Sequence, residues 1–191
     1  MYVSLEGIDG SGKSTQIILL EKWLEDYGFD VKRIFEPTNF SVGKLIRKML
    51  KNPQATGDNF QKTLALLFAA DRMLLIDEIE EAEAENKIVI SDRSFYSSIA
   101  YQNEPEWLYE VNKYVKVPDT VLLLDVDVKT AISRCDGKDS FENEAFLEGI
   151  KKKYLKLADK NDFYVINASN GVNKVHDDIK KVLSPKIGRC I

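Results

Sequence analysis

The chain has 191 residues, which is enough for one α/β domain that buries a sizeable core. Its formal net charge of −4 excludes a generally basic surface that coats nucleic acid, and no apolar stretch approaches the roughly 18 residues that a membrane span needs. Two cysteines are too few for a disulfide framework and no secretory signal is visible, so we expect a cytoplasmic protein with neither nucleic acid nor membrane as a partner.

Five short apolar runs divide the chain into strands that are separated by longer helical segments. The runs predict strands at Tyr2–Leu5, Val31–Phe35, Ile88–Ile90, Val121–Val126 and Phe163–Ile166. Each run is continuous rather than alternating, which is typical of strands that are covered on both faces. Because parallel strands need crossover helices between them, this alternation predicts an α/β fold.

Apolar residues at helical spacing fill the segments between the strands. The longest pattern covers residues 58–85 and includes Phe68 and Leu75. Further helices are predicted at residues 14–28, 41–51, 94–102, 105–115, 128–135, 143–159 and 172–183. The whole pattern predicts a doubly wound five-stranded parallel sheet flanked by helices, in a single domain over residues 1–191. The charged segment at about 136–143 is predicted to be a short mobile lid.

The segment directly after the first predicted strand carries a phosphate-binding pattern. Its letters from Gly7 to Ser14, GIDGSGKS, match G-x-x-x-x-G-K-[ST] at every fixed position, and a helix is predicted to follow. Glycines let the backbone wrap around phosphate oxygens, so that N–H groups and the helix N-terminus face the anion. Lys13 can reach the β- and γ-phosphates, and the Ser14 hydroxyl can ligate Mg²⁺. The predicted ATP-binding residues here are Gly7, Asp9, Gly10, Ser11, Gly12, Lys13, Ser14 and Thr15.

This pattern from Gly7 to Ser14 is a P-loop. A P-loop alone fits kinases, GTPases and ATPases, so the rest of the chain must distinguish these three classes. A GTPase usually carries Asn-Lys-x-Asp, whereas the similar stretch at residues 173–176 ends in His176. A D-x-x-G switch segment is also missing after the P-loop. These absences argue against a nucleotide-dependent switch or binding module, which stays the alternative from another functional class.

Several short motifs follow the P-loop in order along the predicted elements. They are Glu36-Pro37, Phe68-Ala69-Ala70-Asp71-Arg72, Ser91-Asp92-Arg93 and Ser97-Ser98-Ile99-Ala100-Tyr101-Gln102. Together with Asp9 in the P-loop, they resemble the thymidylate kinase family of nucleoside monophosphate kinases, over most of the chain from Tyr2 to about Leu157. The resemblance implies the P-loop kinase fold and transfer of the γ-phosphate of ATP to dTMP, with Mg²⁺ as cofactor. It also implies a homodimer formed through the long helices.

Asp92 and Arg93 follow the third predicted strand, and in open α/β sheets ligands bind at the carboxyl ends of strands. An acid at this place can hold Mg²⁺ through water, so Asp92 joins Ser14 as a predicted metal-binding residue. Arg93 can bridge donor and acceptor phosphates as negative charge is redistributed, which makes it a predicted catalytic residue beside Lys13. The structural alternative is a helix-capping Asp next to a surface Arg.

Further acceptor contacts are implied by the resemblance. It implies that Arg72 holds the acceptor phosphate and that Phe68, one helical turn earlier, stacks on the thymine ring. It also implies that Asp9 contacts the sugar 3′-hydroxyl and the waters of Mg²⁺. The positions that match base- and sugar-reading residues of the family are Ser98, Tyr101 and Gln102. The structural alternatives are that Phe68 is a core residue and that Arg72 is a solvated arginine.

Glu36-Pro37 and Arg47 match two other family positions near the acceptor. Phe35 stands where the family often has arginine before this Glu, which departs from the pattern. A strand-ending turn and a surface arginine are the structural alternatives, since proline restricts the residue before it.

The arginine that the family usually supplies from the P-loop or the lid is missing at both places. The P-loop position is Gly10, and Ser140 replaces the arginine of the lid motif. Arg134 and Lys138 are the candidate replacements, and Arg134 could alternatively stack on the adenine of ATP. We count Arg134 as a predicted catalytic and ATP-binding residue. A kinase for another pyrimidine nucleotide or a deoxynucleoside stays the alternative within the same fold.

Overall fold

The computed structural model describes residues 1–135 and 144–188, and within them the chain forms five β-strands. All strand pairs are parallel, in the order β2-β3-β1-β4-β5. The predicted doubly wound five-stranded parallel sheet is therefore confirmed, whereas the predicted lid at 136–143 lies outside the described residues. The strands are β1 (Tyr2–Glu6), β2 (Val31–Phe35), β3 (Ile88–Asp92), β4 (Thr120–Asp125) and β5 (Tyr164–Asn167).

Helices make the connections between the strands. Side-chain caps begin some of them: Asp127 accepts a hydrogen bond from the Thr130 N–H (2.8 Å), and Ser94 accepts one from the Tyr96 N–H. Of the described helices, none has both the length and the apolar character that crossing a bilayer requires. They are α1 (Lys13–Asp26), α2 (Ser41–Leu50), α3 (Asp58–Met73), α4 (Ile76–Ala84), α5 (Phe95–Tyr101), α6 (Pro105–Val111), α7 (Val128–Ser133), α8 (Glu144–Lys160) and α9 (Val172–Leu183).

Two apolar clusters pack on the sheet, and the side chains of β1 and β3 divide between them because successive side chains of a strand point in opposite directions. Val3 and Leu5 of β1 belong to the larger cluster, which α1, α5, α8 and α9 complete. Tyr2 belongs to a smaller cluster with Val89 of β3 and Ile79 of α4. Both faces of the central strands are thus covered, as a doubly wound sheet requires.

The outer strands depart from the predicted two-sided burial. The central strands β1, β3 and β4 are almost completely buried. In contrast, Phe35 of β2 and Val165 of β5 are 41% and 49% exposed. An outer strand has a neighbour on one side only and less helical cover, so its apolar run does not guarantee burial.

The helix that we predicted over residues 58–85 is in fact two helices, α3 and α4, which the turn at Leu74 and Leu75 separates. Neither proline nor glycine marks this break in the sequence. Near the end of α3, Asp71 accepts hydrogen bonds from the N–H and the hydroxyl of Thr38 (2.7 and 2.6 Å). Leu75, in contrast, packs in the smaller cluster on the sheet. The two halves of the segment thus make tertiary contacts in different places, Asp71 with Thr38 and Leu75 with the sheet. These contacts override the continuous helical pattern of the sequence.

Candidate active site

The P-loop joins β1 to α1 and forms one wall of a cleft of about 720 Å³, which we call the P-loop cleft. Lys13 is buried there, and its Nζ donates hydrogen bonds to the carbonyl oxygens of Gly7 (3.1 Å) and Ile8 (3.0 Å). Burial, and after it the charge of Arg93, lowers the pKa of Lys13 to about 8. The predicted ATP-binding residues that line this cleft are Asp9, Gly10, Ser11, Gly12, Lys13, Ser14, Thr15 and Arg134.

The surroundings of Gly10 show why this P-loop has no arginine at the position where the resembling family often has one. Its φ is +76°, and a Cβ there would lie 2.2 Å from the carbonyl oxygen of Ala131 in α7. The packing of α7 against the loop therefore excludes any side chain at this position. Arg134, the residue after α7, lies beside the loop instead, with its Nη1 3.4 Å from the carbonyl oxygens of Gly10 and Ala168.

Ser14 and Asp92 meet where β3 ends beside the start of α1. The Ser14 hydroxyl donates a hydrogen bond to Oδ2 of Asp92 over 3.1 Å, and both residues line the P-loop cleft. Oxygen donors of this kind suit Mg²⁺, which keeps several waters and binds through few carboxylates and the substrate phosphates. No group of three or more His, Cys, Asp or Glu side chains forms a metal site within residues 1–135 and 144–188. The pair fits a metal that is held mainly by phosphate oxygens.

A second cleft of about 240 Å³ opens beside the P-loop cleft, and side chains of α3 and α5 line most of it. Its wall combines apolar side chains such as Leu64 and Phe68 with polar ones such as Arg72 and Gln102. Some residues line both clefts, so the two spaces meet at them. These residues are Asp9, Glu36, Pro37 and Arg93.

Arg93 forms an ion pair with Asp9 at the junction of the two clefts. Its Nη2 donates to Oδ1 of Asp9, and the Tyr101 hydroxyl donates to Oδ2 over 3.0 Å. Burial by itself raises the pKa of Asp9, but the charges of Arg93 and Lys13 outweigh it, so the net shift is downward. Arg93 also has a φ of +76°, a conformation that is uncommon outside glycine and that concentrates at functional sites.

Arg72 is buried in the wall of the second cleft, with its Cζ 5.5 Å from the centroid of the Phe68 ring. Its Nε donates to Glu36 (2.6 Å), its Nη1 to Oδ1 of Asn112 (2.9 Å) and its Nη2 to the Ser98 hydroxyl (3.0 Å). Burial raises the pKa of Glu36, and the charge of Arg72 opposes that rise. Arg72 lines the second cleft and not the P-loop cleft, and its partner Glu36 lines both.

Gln102 brings a hydrogen-bond acceptor to the wall of the second cleft. Its Nε2 donates to the carbonyl oxygen of Gln61 over 2.9 Å. Its Oε1 is buried and has no hydrogen-bond partner among the described residues. Buried polar atoms are normally paired, so an unpaired one on a cleft wall indicates a place for a ligand donor.

The turn after β2 closes the site from the other side. Asp71 holds Thr38 by the two hydrogen bonds given above, and Glu36 and Pro37 precede it. Arg47 of α2 donates to the carbonyl oxygens of Pro37 and Thr38, the second at 2.6 Å. Arg47 lines the P-loop cleft rather than the second cleft, so here it braces the turn next to the junction.

Several buried polar residues of the site were missed by sequence reasoning. Glu6 follows the apolar run of β1 directly, so its place at the carboxyl end of a strand was the signal that could have identified it. Tyr154 lies 148 positions from Glu6, its hydrogen-bond partner, and no local pattern connects them. The residues that were missed are Glu6, Ser94, Asn112 and Tyr154, whereas Asp71 and Ser97 belong to the family motifs but were assigned no role.

Comparisons with known proteins bear on this arrangement. The sequence model of the family described as thymidylate kinase matches residues 5–179. The chain belongs to the thymidylate kinase family. A probable thymidylate kinase of Methanobrevibacter smithii is 56% identical over 190 residues, which cover 100% of this chain and 97% of that relative. Another, from Methanothermobacter thermautotrophicus, is 48% identical over 190 residues, with the same coverage.

The solved structure of a thymidylate kinase from Candida albicans has the same fold as this family member. Its TM-score is 0.84, and the match covers 97% of this chain and 92% of that chain at 24% sequence identity. The resemblance that the motifs indicated is confirmed by the family match and by the two relatives. As a member of the thymidylate kinase family, the chain is a transferase, a kinase of nucleotide biosynthesis.

Proposed function

We propose that this kinase transfers the γ-phosphate of ATP to dTMP and gives ADP and dTDP, on the route to dTTP. The observation that carries the proposal is the junction of the two clefts at Asp9 and Arg93. A donor on the P-loop and an acceptor against α3 would bring their phosphates together at that junction. The relatives, which are named as probable thymidylate kinases, support the same pair of substrates.

ATP would lie with its phosphates on the P-loop, where backbone N–H groups and the N-terminus of α1 face the anion. Lys13 would contact the β- and γ-phosphates. Ser14 and Asp92, 3.1 Å apart, would hold Mg²⁺, which supplies positive charge to the phosphates when it is bound, and Asp9 would contact its waters. Arg134, next to the carbonyl oxygen of Gly10, would supply the further cation or stack on the adenine.

The polar groups near Phe68 fit the edge of a thymine ring that stacks on it. Thymine presents the O4 acceptor and the N3–H donor side by side. Nη1 of Arg72, which has two hydrogens and binds Asn112 with one of them, offers a donor there, and Oε1 of Gln102 offers an unpaired acceptor. Cytosine presents the reverse pattern and would leave both sides unpaired, which a buried site rejects strongly. We therefore place Arg72 at the base, beside Phe68, rather than at the acceptor phosphate that the resemblance implied for it, and give that phosphate to Arg93.

The sugar would lie between the base and the junction. Asp9 would accept a hydrogen bond from the 3′-hydroxyl, and the Tyr101 hydroxyl holds that carboxylate in place over 3.0 Å. The Tyr101 ring would occupy the space of a 2′-hydroxyl and so favour deoxyribose. Ser98, Glu36 and Pro37 would complete the wall around the nucleotide.

The reaction would be an in-line displacement. A phosphate oxygen of dTMP forms a bond to the γ-phosphorus of ATP, and the bond to the β–γ bridging oxygen breaks as ADP leaves. Arg93 and Lys13 would stabilise the charge that moves to the transferring oxygens. The acceptor phosphate is already ionised, so no general base is needed, and positioning accounts for most of the catalysis.

The experiment is an acceptor panel with Mg-ATP, in which ADP formation is measured with dTMP, dUMP, dCMP, UMP, thymidine or no acceptor. We expect dTMP to be the best acceptor, dUMP to follow because uracil has the same edge, and dCMP and thymidine to give little ADP. Equal ADP formation with every acceptor and with none would overturn the proposal and favour a nucleotide-dependent switch.

Two variants test the catalytic roles. We expect Lys13→Ala and Arg93→Ala each to lower kcat by roughly 10²-fold or more while circular dichroism and Tm show an intact fold. Near-normal turnover by Arg93→Ala would remove that residue from the mechanism. Loss of the fold in either variant would be visible as a lowered Tm.

We also propose that the kinase domain over residues 1–191 forms a homodimer through α2 and α3, which pack side by side. Leu66, Met73 and Leu74 expose 53%, 45% and 50% of their surface along and just after α3, and Leu45 of α2 exposes 45%. Burying such a set of apolar side chains between two copies favours association. Because ATP and dTMP are cytoplasmic metabolites, the proposed activity places the dimer in the cytoplasm.

A further inference from the structure

Glu6 is a buried carboxylate to which the reaction scheme gives no role. It ends β1 directly before the P-loop and is 0% exposed. The hydroxyls of Ser4, Ser94, Ser97 and Tyr154 donate to its two oxygens over 3.3, 2.6, 2.7 and 2.9 Å. Among the salt bridges of residues 1–135 and 144–188, none includes Glu6. Four hydroxyls, rather than a cation, therefore satisfy this buried anion.

Glu6 fixes the direction of the hydrogen bonds around it, because a carboxylate offers acceptors only. Ser97 and Tyr154 each have one hydroxyl hydrogen, and these two hydrogens go to Oε2 of Glu6 or to the other hydroxyl, 2.9 Å away. Their oxygens are thereby left to accept from another donor. Nη1 of Arg93 takes that place, 3.1 Å from the Ser97 oxygen, 3.3 Å from the Tyr154 oxygen and 3.2 Å from the carbonyl oxygen of Gly7.

The guanidinium of Arg93 is thus held from two sides. Glu6 acts through Ser97 and Tyr154 on Nη1, and Asp9 pairs with Nη2. A planar group that is fixed at both nitrogens keeps one orientation at the junction of the clefts. Charge stabilisation in a transition state depends on such preorganised donors.

We propose that Glu6 and Tyr154 are positioning residues, which act on phosphoryl transfer through Arg93. The inference rests on the proposed role of Arg93 in that reaction. Tyr154 belongs to α8 and Ser97 to α5, so the same hydrogen bonds join these two helices to the end of β1. A purely structural network would hold the helices together in the same way but would not act through Arg93.

A double-mutant cycle with Tyr154→Phe and Arg93→Ala separates these two cases. Tyr154→Phe keeps the ring and removes the hydroxyl that links Glu6 to Arg93. We expect it to lower kcat roughly tenfold, with KM for ATP changed less than about twofold, because one charge-assisted hydrogen bond is lost. Radiolabelled ATP allows the low turnover of Arg93→Ala to be measured. In that variant, adding Tyr154→Phe should have no further effect on kcat.

Tyr96→Phe is the matched control, because Tyr96 is also a buried tyrosine of the larger cluster but lies outside the network. It should leave kcat within about twofold of the starting protein. Glu6→Gln, which turns one acceptor into a donor, should lower kcat at least as much as Tyr154→Phe, because one of the four hydroxyls must then reorient. If Tyr154→Phe lowers Tm below the assay temperature, Ser97→Ala carries the same cycle.

The outcomes distinguish this inference from the proposed function. An impaired Arg93→Ala beside an unaffected Tyr154→Phe would overturn the positioning role alone. The same is true of a tenfold loss that persists in the Arg93→Ala background, since it would show that Tyr154 does not act through Arg93. Normal turnover by Arg93→Ala would overturn this inference together with the role of Arg93.

Discussion

Lys13, Arg72 and Arg93 place three cations in or near the protein interior, where burial disfavours each charge. Glu36 compensates Arg72 and Asp9 compensates Arg93 through ion pairs. The ammonium of Lys13, in contrast, is held by the carbonyl oxygens of Gly7 and Ile8, which carry no full charge. A polyphosphate would supply the negative charge that the ammonium of Lys13 lacks as a partner, which explains a buried lysine at this place.

The lowered pKa of Lys13 predicts a pH dependence. Burial and Arg93 bring that pKa to about 8, so in the free protein Lys13 loses its charge as the pH rises through this value. We expect kcat/KM for ATP, which reports on groups of the free enzyme, to fall above a pH of about 8 by up to tenfold per pH unit. A flat profile of kcat/KM for ATP from pH 7 to 9.5 would contradict the assignment.

Stability should change in the opposite direction over the same range. Between pH 8 and about 10.5 the unfolded chain binds a proton at Lys13 that the folded chain has lost, so this contribution to the free energy of unfolding rises with pH. Lys13→Met removes the titrating group. Urea unfolding of this variant should show a smaller rise than the starting protein over that interval.

At the scale of elements, the site depends on how closely α2 approaches the turn after β2. Gly43 of α2 has no side chain, and a Cβ there would lie 2.0 Å from the carbonyl oxygen of Thr38. This close approach lets Arg47 reach the carbonyl oxygens of Pro37 and Thr38. Since Pro37 lines both clefts, the spacing of two elements determines the shape of the junction.

Gly43→Ala tests this dependence. The added methyl must push α2 and the turn apart, so we expect the free energy of unfolding in urea to fall by about 1–3 kcal/mol and KM for dTMP to rise several-fold. Gly149→Ala in α8 is the matched control, because a Cβ there meets no atom within 4 Å. That change should raise stability by up to about 1 kcal/mol and leave KM unchanged. Similar effects of the two substitutions would refute the close-packing argument.

At the scale of the whole molecule, the strand order places the chemistry in the middle of the sheet. β1 lies between β3 and β4, so the P-loop after β1 and the Asp92-Arg93 pair after β3 leave the same edge side by side. Ligands of open parallel sheets bind at this carboxyl edge. The outer strands β2 and β5 then supply the remaining walls, through the turn at Glu36 and through Ala168.

The proposed homodimer gives a prediction at this scale. Leu66→Glu and Met73→Glu place charges on the exposed apolar face of α3, and a charge buried in an interface is strongly unfavourable. We expect either substitution to convert dimers to monomers in sedimentation velocity. Leu155→Glu, at a 37% exposed leucine of α8, is the control and should leave the dimer intact. Sedimentation of the unsubstituted protein as a monomer at micromolar concentration would contradict the proposal.

The sequence by itself determined the strands, the P-loop and the family motifs, because each depends on residues that are close together in the chain. Apolar runs need no distant partner to identify a strand, and the spacing from Gly7 to Ser14 alone predicts a phosphate-binding loop. The break between α3 and α4 at Leu74 and Leu75, in contrast, has no signal in the local sequence. It depends on what each half of the segment packs against.

Only the tertiary structure decided which polar residues surround the reacting groups. Asn112 and Tyr154 carry no local signal, since Asn112 accepts from Arg72, 40 positions away, and Tyr154 donates to Glu6, 148 positions away. The sequence shows that Gly10 replaces the family's arginine, but the reason that no side chain fits there is the backbone of α7. A buried charge or an excluded Cβ depends on neighbours in space, and folding alone brings these neighbours together.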